Sequence, residues 1–332
     1  MSDMFDGADR VETYQEPTGS RIDRKALQAE FAATTPPPTK PARKLLNKKA
    51  WEKYEADLEQ WKRDVRDARL RDSPWPRAMN VLVTNKKGSS GKTPTTLCTA
   101  GALASILGGG VAVFEAADTV GTLLSRAEGT ATKGLVEMLR NADQLDSRAA
   151  VESYGLKQGS GAMVYGSVAR RRPWSGADVD TMREILDMQF LVTIADSANN
   201  EMSAAFGAAL QGADVLVIPT AMSFDSVSAV IETLDFIDNK DKSGLIPYRP
   251  DLWDRTIVVV SPDGRVEDPE VSAKVVEVLR KQGITVVRVP YDDHLAEGRT
   301  ISWSLLSDES RLAWSEVAHL VGEKLHLAIT TN

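Results

Sequence analysis

Cys98 is the only cysteine in this 332-residue chain. One thiol cannot close an intrachain disulfide or furnish a CxxC metal site, so a reducing, cytoplasmic setting is expected. Long apolar runs are also missing: no stretch approaches the ~20 residues a membrane-spanning helix needs. The opening Met1-Ser2-Asp3-Met4-Phe5-Asp6 has neither a basic start nor an apolar run, so no secretory signal is expected. Positive charge is not in excess either. At a net charge of −7 the chain is not basic all over, which leaves nucleic acid only a local basic patch to bind. No internal repeat is found. What is present is a 42% hydrophobic fraction, enough for one large α/β domain plus an appendage.

The chain divides by composition. Residues 1–39 carry four basic and seven acidic residues, with a short helix expected at 21–33 and a stiff Thr34-Thr35-Pro36-Pro37-Pro38 linker. This arm reads as flexible. Residues 40–76 read as an amphipathic charged helix. Trp51, Tyr54, Leu58, Trp61, Val65 and Ala68 recur at spacings of three and four, one apolar stripe flanked by charge of both signs. The stripe can pack on its own domain or a sister subunit. The alternatives are DNA binding through Lys44, Lys48, Lys49, Arg63, Arg66, Arg69 and Arg71, or docking of a partner. Ser73-Pro74-Trp75-Pro76 ends the helix, and residues 77–332 form the main domain.

In that domain apolar runs alternate with helical stretches. Strands are expected at 80–85, 111–115, 162–165, 190–194, 215–219, 256–261 and 285–289. Helices are expected at 94–107, 132–141, 177–187, 202–210, 223–236, 269–282 and 307–327. The alternation predicts an α/β fold, a mostly parallel twisted sheet with helices on both faces. Ligands of such sheets sit at the carboxyl ends of the strands.

The first strand of the domain runs into Lys87-Gly88-Ser89-Ser90-Gly91-Lys92-Thr93-Pro94. A strand, a Gly/Ser loop and a helix start form a phosphate cradle, with loop N–H groups and the helix dipole facing the anion. Lys92 would reach the β- and γ-phosphates and Thr93 would ligate Mg²⁺. Pro94 suits a first helical turn, where its missing N–H is not needed. A Lys/Gly/Ser surface turn without ligand is the plain alternative. The strict motif G-x-x-x-x-G-K-[ST] lacks its first glycine, because Lys86 stands there.

The loop resembles the deviant Walker A segment K-G-G-x-G-K-T of the ParA/MinD family of P-loop ATPases, closest to ParA-type DNA partition ATPases. Lys87 stands at the family's signature lysine, which reaches across a dimer interface to the partner's nucleotide; Ser89 replaces a family glycine. Residues Glu115-Ala116-Ala117-Asp118-Thr119-Val120-Gly121-Thr122 resemble D-x-D-P-Q-G-N, matching at Asp118 and Gly121. The resemblance implies that Asp118 positions the attacking water beside the metal. Without it, Asp118 is a turn residue capping a loop. Asp196 ends a strand as a Walker B acid does and would hold the Mg²⁺ shell, or else cap the next helix. Ser197-Ala198-Asn199-Asn200 stand where the family has T-P-P-G. Residues 289–298 resemble the stretch near the adenine, which makes Ser261, Pro290 and Asp292 candidate base contacts; Tyr291 replaces the family arginine. The resemblance spans about two thirds of the chain, residues 79–298.

It implies ATP and Mg²⁺ as cofactors and a homodimer assembled on ATP. The lone cysteine argues against the iron–sulfur and zinc-bridged members of the superfamily. The ParA reading is a DNA-partition ATPase that binds nonspecific DNA and answers to a centromere-binding adaptor, cytoplasmic and associated with the nucleoid. Arg170, Arg171, Arg172, Arg280 and Lys281 are its candidate DNA contacts, with Arg255 and Arg299. The alternative is a MinD-like positioning ATPase for protein cargo in a division, pilus or secretion complex. A MinD-like membrane attachment needs a terminal helix with a basic polar face. The final helix carries Glu316, His319, Glu323 and Lys324 there, so it is expected to close the core and no membrane partner is expected. A small-molecule ligase or kinase on the same loop is a third reading.

Overall fold

The alternating pattern resolves, in the computed structural model, into one eight-stranded sheet flanked by helices. The structure describes residues 36–40, 48–238, 246–262, 264 and 269–330. The helix expected at 21–33 lies outside the described residues. The strands are β1 (Met79–Val83), β2 (Val111–Ala116), β3 (Leu156–Lys157), β4 (Met163–Tyr165), β5 (Val192–Ser197), β6 (Val215–Thr220), β7 (Thr256–Val260) and β8 (Thr285–Arg288). Their order is β3-β4-β2-β5-β1-β6-β7-β8. Only the β3–β4 pairing is antiparallel. The longer helices are α1 (Lys48–Arg71), α2 (Lys92–Leu107), α3 (Gly176–Asp187), α4 (Ala204–Gly212), α5 (Phe224–Asp238), α6 (Pro269–Lys281) and α7 (Asp308–Thr330).

All seven expected strands form. The eighth, β3, is a two-residue edge with no period to read. Strands β2, β5, β6 and β7 are buried along their whole length, which is why they read as continuous apolar runs rather than alternating ones. Their side chains still divide with a period of two between two cores. Ala112, Phe114 and Ala116 join Met182 and Phe206 on the side of α3 and α4. Val111 and Val113 join Leu103, Trp314 and Val317 on the side of α2 and α7. Helix α7 closes that second core, with Val317, Val321 and Leu325 fully buried. Among the described residues no helix is long and apolar enough to cross a membrane.

The described residues separate into two compact units, one ending at Val65 and the other beginning at Arg66. Within the first, the Trp51 and Tyr54 rings lie 5.6 Å apart, and the Lys40 ammonium sits 5.3 Å from the Trp51 ring. Within the second, Arg66 makes a fork to Glu316 at 2.5 and 2.9 Å. Asp67 meets the buried His319 at 2.6 Å, and Leu70 lies against Gly322.

One glycine fixes the approach of the segment after β4. A Cβ on Gly134 would stand 2.4 Å from the Gly166 carbonyl oxygen and 2.9 Å from Val168. That carbonyl also accepts the Leu135 N–H at 3.0 Å. Gly134→Ala must displace backbone rather than a rotamer, so it is expected to cost about 1–3 kcal/mol. A lower urea midpoint with an unchanged m-value is the readout.

Candidate functional site

β1 ends at Val83, and the buried Asn85 pins the chain just beyond it. Its amide donates to the Pro219 carbonyl at 2.8 Å, and its side-chain oxygen accepts the Lys87 N–H at 2.8 Å. The loop thus starts from a point fixed to the end of β6. It then turns through two left-handed residues, Ser89 at φ 56° and Gly91 at φ 86°. Gly91 takes this conformation freely, whereas Ser89 bears a cost of order 1 kcal/mol where the resembled loop has glycine.

Helix α2 begins at Lys92 without any side-chain cap. Its first N–H groups are therefore left to an anion. Pro94 falls within the first turn, as expected. Lys92 is buried, 9% exposed as a whole residue. It donates to the Asn85 carbonyl at 2.9 Å, the Lys87 carbonyl at 3.1 Å and the Asn199 side-chain oxygen. Burial lowers its pKa, against the opposing pull of Asp196 and Glu201.

Asp196 lies on β5 in register with Val83 of β1 and Glu115 of β2. Its carboxylate accepts the Thr93 hydroxyl at 2.8 Å and the Thr96 hydroxyl at 3.1 Å. Burial pushes its pKa up to about 6, with the two threonine hydroxyls and Lys92 working the other way. Asp118 is half-buried and accepts the Asn200 amide at 2.9 Å. The Thr122 hydroxyl, at the end of the Asp118 loop, stands 3.3 Å from that of Thr93. The structure therefore gathers Lys92, Thr93 and Asp196 at one point and brings the Asp118 loop beside them.

Lys87 has a different partner from Lys92. Its ammonium donates to the Ser226 hydroxyl at 2.9 Å, and Ser226 in turn contacts Ser223 at 2.7 Å. Lys86 pairs with Glu232. Gly88 and Ser89 are exposed. Ser90 carries a buried hydroxyl with no hydrogen-bond partner, an orphan at the very loop that should receive phosphate.

Ser261 and Pro290 follow β7 and β8 at their carboxyl ends, both partly exposed. Asp292 is 6% exposed and already engaged. Its oxygens accept the His294 N–H at 3.0 Å, the Ser307 N–H at 3.0 Å and the Ser307 hydroxyl at 3.1 Å. Its carboxylate is thus a structural brace in this fold.

The arginine run needs correcting. Arg171 is buried: its side chain is 3% exposed and pairs with Glu115 at 2.7 Å, so it is not available to DNA. Arg172 forks onto Asp178 at 2.6 and 2.9 Å, holding that carboxyl down at about 2. Arg170 is exposed. Arg280 is exposed and Lys281 pairs with Glu277 at 2.8 Å. Both end α6 just before β8 starts, at the amino ends of the parallel strands, whereas the phosphate loop follows the carboxyl end of β1. Arg255 is buried against Asp251, and Arg66 is taken by Glu316.

Sequence reading missed Asn85, Thr96 and Ser226. Thr96 alone left a signal, since it lies three residues from Thr93 on one helix face. Among the described residues no cluster of three or more His, Cys, Asp or Glu could hold a metal ion. A hydroxyl and a single carboxylate fit Mg²⁺, which keeps waters and takes its other ligands from phosphate.

No family model matches the chain. No curated protein matches it either. Among solved structures it is similar to a ParA family ATPase from Chlorobium tepidum, with a TM-score of 0.53 and 18% identity, covering 77% of this chain and 99% of that one. It is also similar to the cell division ATPase MinD from Pyrococcus furiosus, with a TM-score of 0.51 and 15% identity, covering 75% and 99% respectively. At such identities the likeness is one of fold: the domain has the architecture of the ParA and MinD ATPases.

Proposed function

We propose that the chain is an Mg²⁺-dependent ATPase that dimerises on ATP and uses the cycle to position a cargo. The observation that carries this reading is the convergence of Lys92, Thr93 and Asp196 on an uncapped helix start, with a second lysine, Lys87, held separately by Ser226. Lys92 would neutralise the β- and γ-phosphates, while Gly88, Ser89, Ser90 and Gly91 wrap them with backbone N–H groups. Thr93 and Asp196 would hold Mg²⁺, which neutralises charge developing on the transferred phosphoryl group. Asp118 would orient the attacking water, and Ser261 and Pro290 would flank the base. Asp292 would serve the base only through the loop it braces. Lys87 would leave Ser226 to meet the nucleotide of a second subunit. Size-exclusion with light scattering tests the cycle, comparing apo, ADP and a slowly hydrolysed ATP analogue. Mass should double with the triphosphate alone; a monomer in all three states would overturn the reading.

The Asp196 carboxyl sets a pH limit. Metal binding needs the ionised form, so Mg²⁺-dependent nucleotide affinity should be level above pH 7 and fall through about pH 6. The slope should approach tenfold per pH unit below it. A fluorescent-nucleotide titration with and without Mg²⁺ reads this directly, and a flat profile from pH 7 to 5 would remove Asp196 from the metal site.

For the cargo, the first reading is DNA, partitioned with the help of a centromere-binding adaptor. Random duplex should be retained with ATP, released with ADP, and lost steeply as salt rises. Burial of Arg171 and pairing of Arg172 thin the basic patch and favour the second reading, a protein cargo. Equal or absent DNA retention in both nucleotide states would decide for it.

A further inference from the structure

Arg171 sits in a run of three arginines, yet its side chain is 3% exposed and faces Glu115, 2% exposed. The guanidinium stacks 3.8 Å from the centre of the Trp174 ring. A buried ion pair repays its desolvation poorly unless its remaining donors and acceptors are also used. Here they go mainly to one short stretch of backbone. Arg171 donates to the carbonyls of Ala117 at 2.8 Å, Asp118 at 3.2 Å and Thr119 at 3.3 Å. Glu115 accepts the Gly121 N–H at 3.0 Å with one oxygen and the Ser167 hydroxyl at 2.7 Å with the other. Ser167 accepts from Arg171 in turn, at 2.7 Å. Residues 117–121, which have no strand or helix of their own, are thus cross-braced from both sides by one ion pair.

That stretch is the loop of Asp118, and it ends at Thr122, 3.3 Å from Thr93. We propose that Arg171 and Glu115 are positioning residues that fix the Asp118 loop against the phosphate site, so that the water-orienting group stands ready before nucleotide arrives. The planar fork of arginine is essential to this. It spans three successive carbonyls while touching a carboxylate, which a lysine ammonium cannot do. Loop bracing rests on geometry alone, whereas its catalytic meaning rests on the ATPase reading given above.

The test uses the full chain with Arg171→Lys and, separately, Glu115→Gln, each keeping much of the volume. Amide hydrogen exchange is read by mass spectrometry on peptides covering 117–122, β1 and β5. Both variants should exchange at least tenfold faster at 117–121 with the two strands unchanged. Turnover should fall tenfold or more while KM for ATP stays within threefold. In an Asp118→Ala background, Arg171→Lys should lower turnover less than twofold, because the residue acts through Asp118. Unchanged exchange at 117–121 would overturn the proposal. So would faster exchange spread through β1 and β5, or an equal loss of turnover without Asp118. Faster exchange confined to the loop, in a protein that hydrolyses no ATP, would uphold the bracing and defeat the ATPase reading instead.

Discussion

Lys87→Ala is expected to abolish the ATP-dependent dimer and lower turnover at least 100-fold, while the monomer's affinity for ATP changes less than threefold. On the ATPase reading the two lysines of the loop have opposite jobs. Lys92 is buried and held by the carbonyls of its own loop, where the ATPase reading puts the phosphates of its own nucleotide. Lys87 reaches away to Ser226 on α5. A cation held there adds little to its own nucleotide, so removing it should spare monomer binding. In a dimer each subunit would lose one charge-assisted contact to phosphate at two equivalent sites, each worth about 1.5–3 kcal/mol. The sum is ample to dissolve a nucleotide-gated dimer, and 100-fold corresponds to about 2.7 kcal/mol. Scattering for the dimer, a steady-state assay for turnover and a fluorescent nucleotide for monomer affinity separate these quantities. A 30-fold loss of monomer affinity would show that Lys87 serves its own site. Ser226→Ala gives the complementary control. Releasing a neutral hydrogen bond of about 1 kcal/mol should tighten the ATP dimer a few-fold.

Asp196→Asn should raise the thermal stability of the free protein while weakening Mg²⁺-dependent nucleotide binding 100-fold or more. The sign comes from the raised carboxyl. A group whose pKa climbs from 3.8 to about 6 on folding disfavours the folded state whenever it is ionised. The penalty is absent below about pH 4, grows between the two values and is complete above pH 6. At 1.36 kcal/mol per pKa unit it amounts to about 3 kcal/mol at neutral pH. Asparagine removes the charge but keeps only one acceptor for Thr93 and Thr96, so about 1–2 kcal/mol of net gain is expected. Calorimetry at pH 7 should show a Tm a few degrees higher, and at pH 4 the gain should vanish. A destabilised variant at pH 7 would mean that the threonine hydrogen bonds outweigh the burial of charge. On the ATPase reading, stability is surrendered here to keep the carboxylate that would hold Mg²⁺ dry.

Much of this was legible in the residues, because each local choice agrees with the next. The run from β1 through Gly91-Lys92-Thr93 states a strand, a turn and a helix start in one breath, and Asp196 ends a buried strand that must lie beside it. The parts that stayed hidden depend on distance along the chain. Asn199 reaches Lys92 from 107 residues away, and Ser226 reaches Lys87 from 139. No periodicity announces such partners. The arginine run misled for a related reason: charge is visible in a sequence but burial of one member of three is not. Arg171 takes its place beside Glu115 only because β2 and β4 are neighbours in the sheet, a fact of topology. Asp292 is a candidate base contact only through the family resemblance of its stretch, and its hydrogen bonds to Ser307 and His294 are of the long-range kind that no local pattern announces.

The tail of α1 has a practical consequence for anyone trimming the gene. A shortened version starting at residue 77 looks natural, just past the Ser73-Pro74-Trp75-Pro76 break. It would strip Leu70 from its seat on Gly322 and leave Glu316 without the Arg66 fork. The exposed seam would run along α7, which covers one side of the sheet together with α2, and the product would tend to clump on purification. A cut made a few residues ahead of Arg66 keeps that clasp and should yield the smaller, better-behaved protein.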